Sequence, residues 1–216
     1  MSKRYRGRFK RSARDLYDTP LRSVLPVIPF LRASGVRDFA EPCAGNGKLI
    51  GHLQQAGFTC ASAGDIATGQ DALAVTCFAM PVVTNPPFSR DRLLPLIEHF
   101  IAAAPSVWLL LPADFAHVAY ARPYLRHCSD IVAAGREAWF GGGGTENIAW
   151  YRFDRRHHGL PLFHNGTLGA GMACASCGRS FSTSRSDART CSATCRQRLR
   201  RKRLLTSRDI SRDIGG

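Results

Sequence analysis

The sequence predicts an α/β protein built on a doubly wound, mostly parallel sheet. Apolar, strand-like runs alternate with helix-like segments between residues 36 and 111, the order expected of parallel strands joined by right-handed crossovers. Gly45 and Gly47 form a turn between the first strand and the first long helix. The run Val107–Leu111 is apolar throughout, which is typical of a strand buried on both faces.

The first elements follow from local patterns. Thr19 and Pro20 begin a helix with apolar residues on one face through Leu31, and two internal prolines are expected to kink or split it. Residues 36–41 form the first strand, and an apolar period from Leu49 marks a helix that Gly57 ends. A weaker second strand covers residues 58–61.

The remaining elements continue the alternation. A short helical piece at 71–75 leads to a strand at 80–83, then come a helix at 90–104, the strand at 107–111 and a helix at 117–127. Strands at 131–140 and 148–153 flank four glycines, so a hairpin is expected. Residues 154–171 lose all periodicity, which predicts a linker.

Two stretches at predicted strand ends contain the candidate ligand-binding and catalytic residues. Gly45 and Gly47 let backbone amides approach a ligand closely, and Asp65 comes 18 residues after Gly47, where an acid that binds a ribose hydroxyl is expected. An ordinary tight turn with a surface aspartate is the competing interpretation. Because parallel strands end at the same edge of a sheet, the turn and the second stretch, Thr84–Phe88, are predicted to face one ligand.

The segment Thr84–Phe88 suits a planar amine. Pro86 and Pro87 end the strand, since proline cannot continue the ladder of backbone hydrogen bonds. The Asn85 amide and the Pro86 carbonyl offer two adjacent acceptors, and Phe88 offers a flat apolar face. Fixed acceptors would favour the nucleophilic form of an exocyclic amine, and stacking on Phe88 would orient it. A base inside a duplex would have to be flipped out to reach them.

With these residues in view, the segment 15–153 resembles the class I S-adenosylmethionine-dependent methyltransferases, and among them the amino-methyltransferases with an Asn-Pro-Pro-Phe or Asn-Pro-Pro-Tyr motif. The resemblance implies a Rossmann-like sheet of seven strands with one antiparallel strand in its last hairpin. It also implies catalytic roles for Asn85, Pro86, Pro87 and Phe88. The implied cofactor-binding residues are Tyr17, Thr19, Glu41, Pro42, Cys43, Ala44, Gly45, Gly47, Asp65, Ile66, Asp71 and Asn85.

The charge is divided unevenly along the chain. Residues 1–14 hold seven Lys or Arg and no acid, and residues 172–216 hold eleven against three, whereas residues 15–171 hold twelve against thirteen. A near-neutral body with cationic ends is what a protein needs to hold a polyanion. We therefore expect nucleic acid as a partner, no membrane partner, and residues 1–14 as a disordered basic arm.

Four of the eight cysteines are clustered. Their spacings, Cys174-x2-Cys177 and Cys191-x3-Cys195, suit a tetrahedral structural zinc ion, with disulfides or four unrelated thiols as the alternative. A predicted helix then continues the module of residues 172–216 and carries a basic, phosphate-binding set: Arg196, Arg198, Arg200, Arg201, Lys202 and Arg203. The absence of a secretory signal leads us to expect a soluble, cytoplasmic protein with reduced thiols.

These patterns favour methyl transfer to an amine of a nucleic-acid base, with N6 of adenine in DNA as the first choice. An RNA base, either adenine N6 or guanine N2, and a protein glutamine are the alternative substrates. An alternative from another class is a zinc-dependent nucleic-acid binding protein with an inactive methyltransferase domain. The intact residues Gly45, Gly47, Asp65 and Asn85 count against that alternative.

Overall fold

The structure is a computed structural model of the chain that describes residues 18–137, 145–165, 172–173, 180–181, 192, 194, 195 and 197. The chain divides into two compact units, Met1–Gly166 and Thr167–Gly216. The basic arm at 1–14 and the basic set from Arg196 to Arg203 lie outside the described residues.

The first unit is built on a seven-stranded sheet. Its strands are β1 (Asp38–Glu41), β2 (Thr59–Ala63), β3 (Val82–Thr84), β4 (Val107–Pro112), β5 (Cys128–Glu137), β6 (Glu146–Phe153) and β7 (Leu162–His164). Their order is β2-β1-β3-β4-β6-β5-β7. β6 runs antiparallel to both β4 and β5, and every other pairing is parallel. The predicted mixed sheet with one antiparallel hairpin is therefore confirmed.

Five α-helices accompany the sheet in the described part of the chain: α1 (Leu21–Val24), α2 (Ile28–Ala33), α3 (Lys48–Gln55), α4 (Arg90–Ala103) and α5 (Arg122–Leu125). Short 3-10 turns cover Ile66–Thr68, Ala72–Ala74, Ala113–His117 and Ala119–Ala121. The predicted helix after Pro20 is split into α1 and α2, as expected from its prolines. The helix predicted at 117–127 is instead a 3-10 turn followed by the one-turn helix α5, with Pro123 near its start.

Two apolar layers cover the two faces of the sheet. Alternate residues of β4 point to opposite faces, so that Trp108 and Leu110 join the layer formed with α2 and α3, while Leu109 and Leu111 join the layer formed with α4. All four side chains are at most 1% exposed. Burial on both faces explains why the sequence of β4 is a continuous apolar run.

The predicted linker at 154–171 needs a correction for residues 162–164. These residues form β7, which pairs in parallel with β5 from Asp130 to Val132. Leu162 and Phe163 are 64% and 67% exposed, and three residues are too few to show a strand period. Pairing with a neighbouring strand, which a local pattern cannot reveal, therefore determines this element.

The second unit contains a two-residue antiparallel pair of strands, β8 (Met172–Ala173) and β9 (Ser180–Phe181). Of the predicted zinc ligands, Cys195 is described and is buried, and its backbone amide donates to Ser192 Oγ at 3.2 Å. Cys174, Cys177 and Cys191 lie outside the described residues. Within the described ranges, no three His, Cys, Asp or Glu side chains gather as metal ligands. No described helix is long and apolar enough to cross a membrane.

Candidate active site

The two motifs lie side by side at the carboxyl edge of the parallel strands. β1 and β3 are neighbours with Ala40 opposite Val82, so β1 ends at Glu41 and β3 ends at Thr84, one residue further along. The glycine turn follows Glu41 and Asn85 follows Thr84. An open α/β sheet binds ligands at this edge, and here the structure has a cavity of about 660 Å³.

Most of the residues singled out from the sequence line this cavity. They are Thr19, Glu41, Pro42, Cys43, Ala44, Gly45, Asp65, Ile66, Asp71, Asn85 and Pro87. Gly47, Pro86 and Phe88 are described but lie outside the lining, and Tyr17 lies outside the described residues. The cavity has the size of a typical cofactor or small-ligand site.

Backbone geometry explains the glycine turn. Gly45 and Gly47 have φ angles of 52° and 73°, a left-handed conformation that glycine adopts without steric cost. A Cβ atom at Gly47 would meet no heavy atom within 4 Å, so backbone conformation rather than crowding favours glycine there. The turn is closed by hydrogen bonds from Ala44 N to Gly64 O at 2.9 Å and from Gly47 N to Ala44 O at 2.8 Å.

Asp65 joins the turn after β1 to the loop after β2. Its Oδ2 accepts from Gly45 N at 2.8 Å, and its Oδ1 accepts from Ala67 N at 2.7 Å. Each carboxylate oxygen retains a further lone pair for a ligand hydroxyl. Asp71 is arranged similarly, since its Oδ1 accepts from Leu73 N at 2.9 Å at the start of a 3-10 turn. Both carboxylates are thus oriented by backbone amides beside the cavity.

Glu41 is a buried carboxyl group at the base of the cavity and is 1% exposed. The hydroxyl of Thr84 donates to its Oε1, and Cys43 N donates to the same oxygen at 3.3 Å. Its Oε2 is buried and has no hydrogen-bond partner in the described part of the chain. Burial raises the pKa of Glu41 to about 8, so much of it is protonated at neutral pH.

Cys43 beside it is a neutral thiol. Burial, and then the neighbouring charge of Glu41, raise the pKa of the Cys43 thiol far above its ordinary value. Because the thiolate is the nucleophilic form of cysteine, Cys43 contributes to the cavity wall rather than to covalent chemistry.

Asn85 is held by the segment that precedes α1. Its Nδ2 donates to Thr19 Oγ1 at 3.1 Å, and Thr19 is 4% exposed. The Asn85 carbonyl oxygen, Oδ1, is buried and finds no partner among the described residues. Asp18 extends this contact, because its Oδ1 accepts from Asn46 Nδ2 of the glycine turn at 2.9 Å. Residues 18 and 19 therefore bridge the two motifs and leave one amide acceptor unsatisfied.

Sequence reasoning missed several polar residues of the lining, notably Asp18, Asn46, Lys48, Asp91 and Arg92. Lys48 begins α3 and Asp91 lies in the first turn of α4, directly after the two motifs. The signal available in the sequence was this adjacency. Helices that follow parallel strands begin at the strands' carboxyl edge, so their first turns border the same ligand site.

Comparison with known proteins supports the fold. No protein-family model matches the chain, and no curated protein matches it significantly. Among solved structures, the chain is similar to an inferred RNA methyltransferase from Pyrococcus horikoshii, with 15% identity, a TM-score of 0.50, and coverage of 71% of this chain and 92% of that one. The described unit thus has an α/β methyltransferase-like fold.

Two further solved structures are more distant. Protein 1320 of Thermoplasma acidophilum has 13% identity and a TM-score of 0.45, covering 62% of this chain and 85% of that chain. The 23S rRNA methyltransferase ErmE has 14% identity and a TM-score of 0.40, covering 63% and 69%.

Proposed function

We propose that the chain is an S-adenosylmethionine-dependent methyltransferase that modifies an exocyclic amine of a nucleic-acid base. The observation that carries the proposal is the unsatisfied Asn85 Oδ1 beside a cavity of about 660 Å³. A buried acceptor without a partner is costly to maintain, and an amine that donates to it would remove that cost. In this structure the atom is shielded from water, so an incoming amine would have to displace neighbouring atoms to reach it.

The cavity lining fits the proposed cofactor. Asp65 and Asp71 present oriented carboxylates to hydroxyl or amino groups, and the glycine turn allows a ligand to approach the backbone closely. Glu41 Oε2 is a second buried oxygen without a described partner. When bound, S-adenosylmethionine would supply a methyl group carried by a positively charged sulfur.

The chain's own residues would orient the amine. Thr19 fixes the Asn85 amide through Nδ2, so that Oδ1 would accept one amine hydrogen and favour a lone pair directed at the methyl group. Asn85 Oδ1 would hold one amine hydrogen while the nitrogen takes up the methyl group, and the proton that the nitrogen then gives up would pass to water. Stabilisation by such fixed dipoles is commonly the largest contribution to catalysis.

Within nucleic acids, adenine N6 in DNA is the first candidate target, and an amine of an RNA base is supported equally. The similar Pyrococcus horikoshii protein is an inferred RNA methyltransferase, and the cationic ends of this chain suit either polymer. A protein glutamine is disfavoured because those ends are nearly all positive.

We also propose a structural zinc ion in the second unit. Support comes from the spacing of the four cysteines and from the described pair β8 and β9. The pairing of Ala173 with Ser180 brings together the two ends of the segment that contains Cys174 and Cys177. The buried Cys195 is consistent with a ligand. The ion would stabilise a unit too short to form a large core.

Cofactor binding and methyl transfer test the enzyme proposal. Calorimetry should show binding of S-adenosylmethionine, and methyl-labelled cofactor should transfer label to a DNA or RNA pool rather than to protein. N85A should lower kcat about 100-fold or more and change the cofactor Kd by less than about fivefold. The control is N165A, an exposed asparagine after β7, four strands away from β3. Absence of cofactor binding, or label confined to protein, would contradict the proposal.

A further inference from the structure

Two arginines follow the Asn85 segment closely in the sequence, in the first turn of a helix that borders the cavity. Arg90 and Arg92 belong to the first turn of α4, which begins just after Asn85–Phe88. Both side chains are exposed, and Arg92 lines the cavity near Pro95 and Leu96, one turn further along the helix. In the part of the chain that the structure describes, neither guanidinium has a carboxylate within ion-pair distance. These two positive charges are therefore available to a ligand.

Arg90 is positioned by an aromatic ring. Its guanidinium carbon lies 4.5 Å from the centroid of the Tyr120 ring, in the loop after β4. Tyr120 is half-buried and packs edge-on against Phe115, with ring centroids 6.4 Å apart, and Phe115 is 2% exposed. Stacking on an aromatic face orients a guanidinium while its N–H donors, which lie in its plane, stay available. Tyr120 thus holds Arg90 in place without neutralising its charge.

The two arginines face opposite sides of the helix. Residues two apart in an α-helix are separated by roughly 200° around its axis. Arg92 accordingly faces the cavity, whereas Arg90 faces the loop at Tyr120. Both arginines lie in the first turn of the helix that follows the Asn85 segment. Because they point in different directions from this turn, they are able to contact two different phosphates.

We infer that Arg90 and Arg92 bind the phosphates on the two sides of the target nucleotide, so that the substrate is a polynucleotide. Guanidinium groups match phosphate geometry and can donate two hydrogen bonds to it. A free nucleotide would supply one such phosphate position, and a glutamine side chain would supply none. This inference rests on the proposed function, because it assigns Asn85 to the target amine.

The test compares R90Q and R92Q with R37Q, using methyl transfer to the DNA or RNA pool that the wild type labels. Arg37 is exposed and precedes β1, at the opposite end of that strand from the cavity. At about 0.1 M salt, R90Q and R92Q should each raise the nucleic-acid KM roughly fivefold to tenfold. Each should also lower the slope of log affinity against log salt by about 0.7 to 0.9, which corresponds to one phosphate contact. R37Q should change neither quantity.

Substitutions at Tyr120 test the positioning of Arg90. Y120F keeps the aromatic face, so it should retain the wild-type KM and salt slope, whereas Y120L should behave like R90Q. The cofactor Kd and Tm of every variant check folding. If Y120L unfolds, R90Q and Y120F still decide the outcome.

The outcomes separate this inference from the proposed function. If the wild type labels nucleic acid but R90Q and R92Q keep its salt slope, the arginine assignment is wrong and the methyltransferase proposal stands. If the wild type does not bind the cofactor, or labels only protein glutamine, both proposals are overturned.

Discussion

Glu41 places an ionisable group where water cannot solvate its charge. Because burial raises its pKa from 4.5 to about 8, the folded protein binds a proton on Glu41 more tightly than the unfolded chain does. The folded state is therefore favoured at low pH, and this advantage is lost as pH rises between about 4.5 and 8. The slope from one such group is at most about 1.4 kcal/mol per pH unit.

We predict that E41Q flattens this pH dependence. Glutamine keeps an acceptor for Thr84 and Cys43 but carries no titrating proton, so its Tm should fall less than that of the wild type between pH 5 and pH 8.5, values chosen roughly to bracket the transition. The measurement is thermal unfolding followed by circular dichroism. E98Q, which changes an exposed glutamate of α4, is the control and should follow the wild type. Parallel curves for E41Q and the wild type would contradict the assigned pKa.

Asn85 and Asp65 show how far local patterns lead at this scale. Both follow a predicted strand, a clear one for Asn85 and a weaker one for Asp65, so their place at the carboxyl edge could be predicted. Asp18 could not be placed in the same way, because its contact with Asn46 joins residues 28 positions apart. Arg92 carries no special pattern within its helix. Phe88 lies outside the cavity lining, so its predicted stacking on a substrate base stays a prediction.

At the element scale, one carboxylate of the sheet accepts the side-chain hydrogen bonds that hold the short helix α1 in place. Glu137, the last residue of β5, is 2% exposed and accepts from Arg22 Nε at 2.6 Å, Arg22 Nη2 at 2.5 Å and Ser23 Oγ at 2.5 Å. Trp150 Nε1 of β6 donates to Ser23 O at 2.8 Å. A four-residue helix has little stability of its own, so these contacts fix α1 and the short segment before it, which contains Thr19.

We predict that E137Q acts on catalysis through Thr19. E137Q and T19V should each lower kcat roughly threefold to tenfold, and the double variant should be no slower than T19V alone, because both changes release the Asn85 amide. D130N is the matched control. It removes the carboxylate that holds His164 at 2.9 Å and Arg152 at 3.5 Å near the start of β5. Its kcat should stay within about twofold of the wild type, whereas multiplicative effects of E137Q and T19V would contradict the coupling.

The stability that the Glu137 contacts contribute depends on pH in the opposite direction to the contribution of Glu41. The hydrogen bond from Arg22 holds the pKa of Glu137 below its usual range. The folded state therefore binds fewer protons there, and the stabilisation is complete above about pH 5 and is lost as pH falls. Tm should accordingly fall less in E137Q than in the wild type on acidification below about pH 5.

Elements with a long period or a clear boundary could be predicted, and those made by pairing could not. α3 and α4 have helical apolar faces and agree with the structure within one or two residues. β5 begins at Cys128, three residues before its predicted start, because β6 pairs with it up to Phe153. β7 depends entirely on the outer edge of β5. Such pairings join distant parts of the chain, so a local window does not contain them.

At the scale of the whole molecule, the excess positive charge and the candidate active site lie in different parts of the chain. The cavity lies in the first unit, in which residues 15–166 carry thirteen acids against twelve Lys or Arg. Residues 167–216 carry eleven Lys or Arg against three Asp. Because affinity for nucleic acid follows the number of neutralised phosphates, most non-specific binding should come from the ends and the selection of an amine from the cavity.

We predict that a chain truncated after Gly166 keeps its cofactor site and loses most of its affinity for nucleic acid. The first unit contains the entire seven-stranded sheet, so its cofactor Kd should stay within about threefold of that of the full chain. Its salt slope should decrease by several units, since up to eleven cations are removed.

Removing zinc from the full chain with a chelator should reproduce part of this loss, because an unfolded module presents its cations without fixed geometry. The truncated chain, which lacks all four clustered cysteines, should not respond to the chelator. Fluorescence anisotropy with labelled duplex and single strands measures both effects, and metal analysis should find about one zinc per full chain. A zinc content below about half an equivalent, or an unchanged salt slope after truncation, would show that the second unit is not the part that holds nucleic acid.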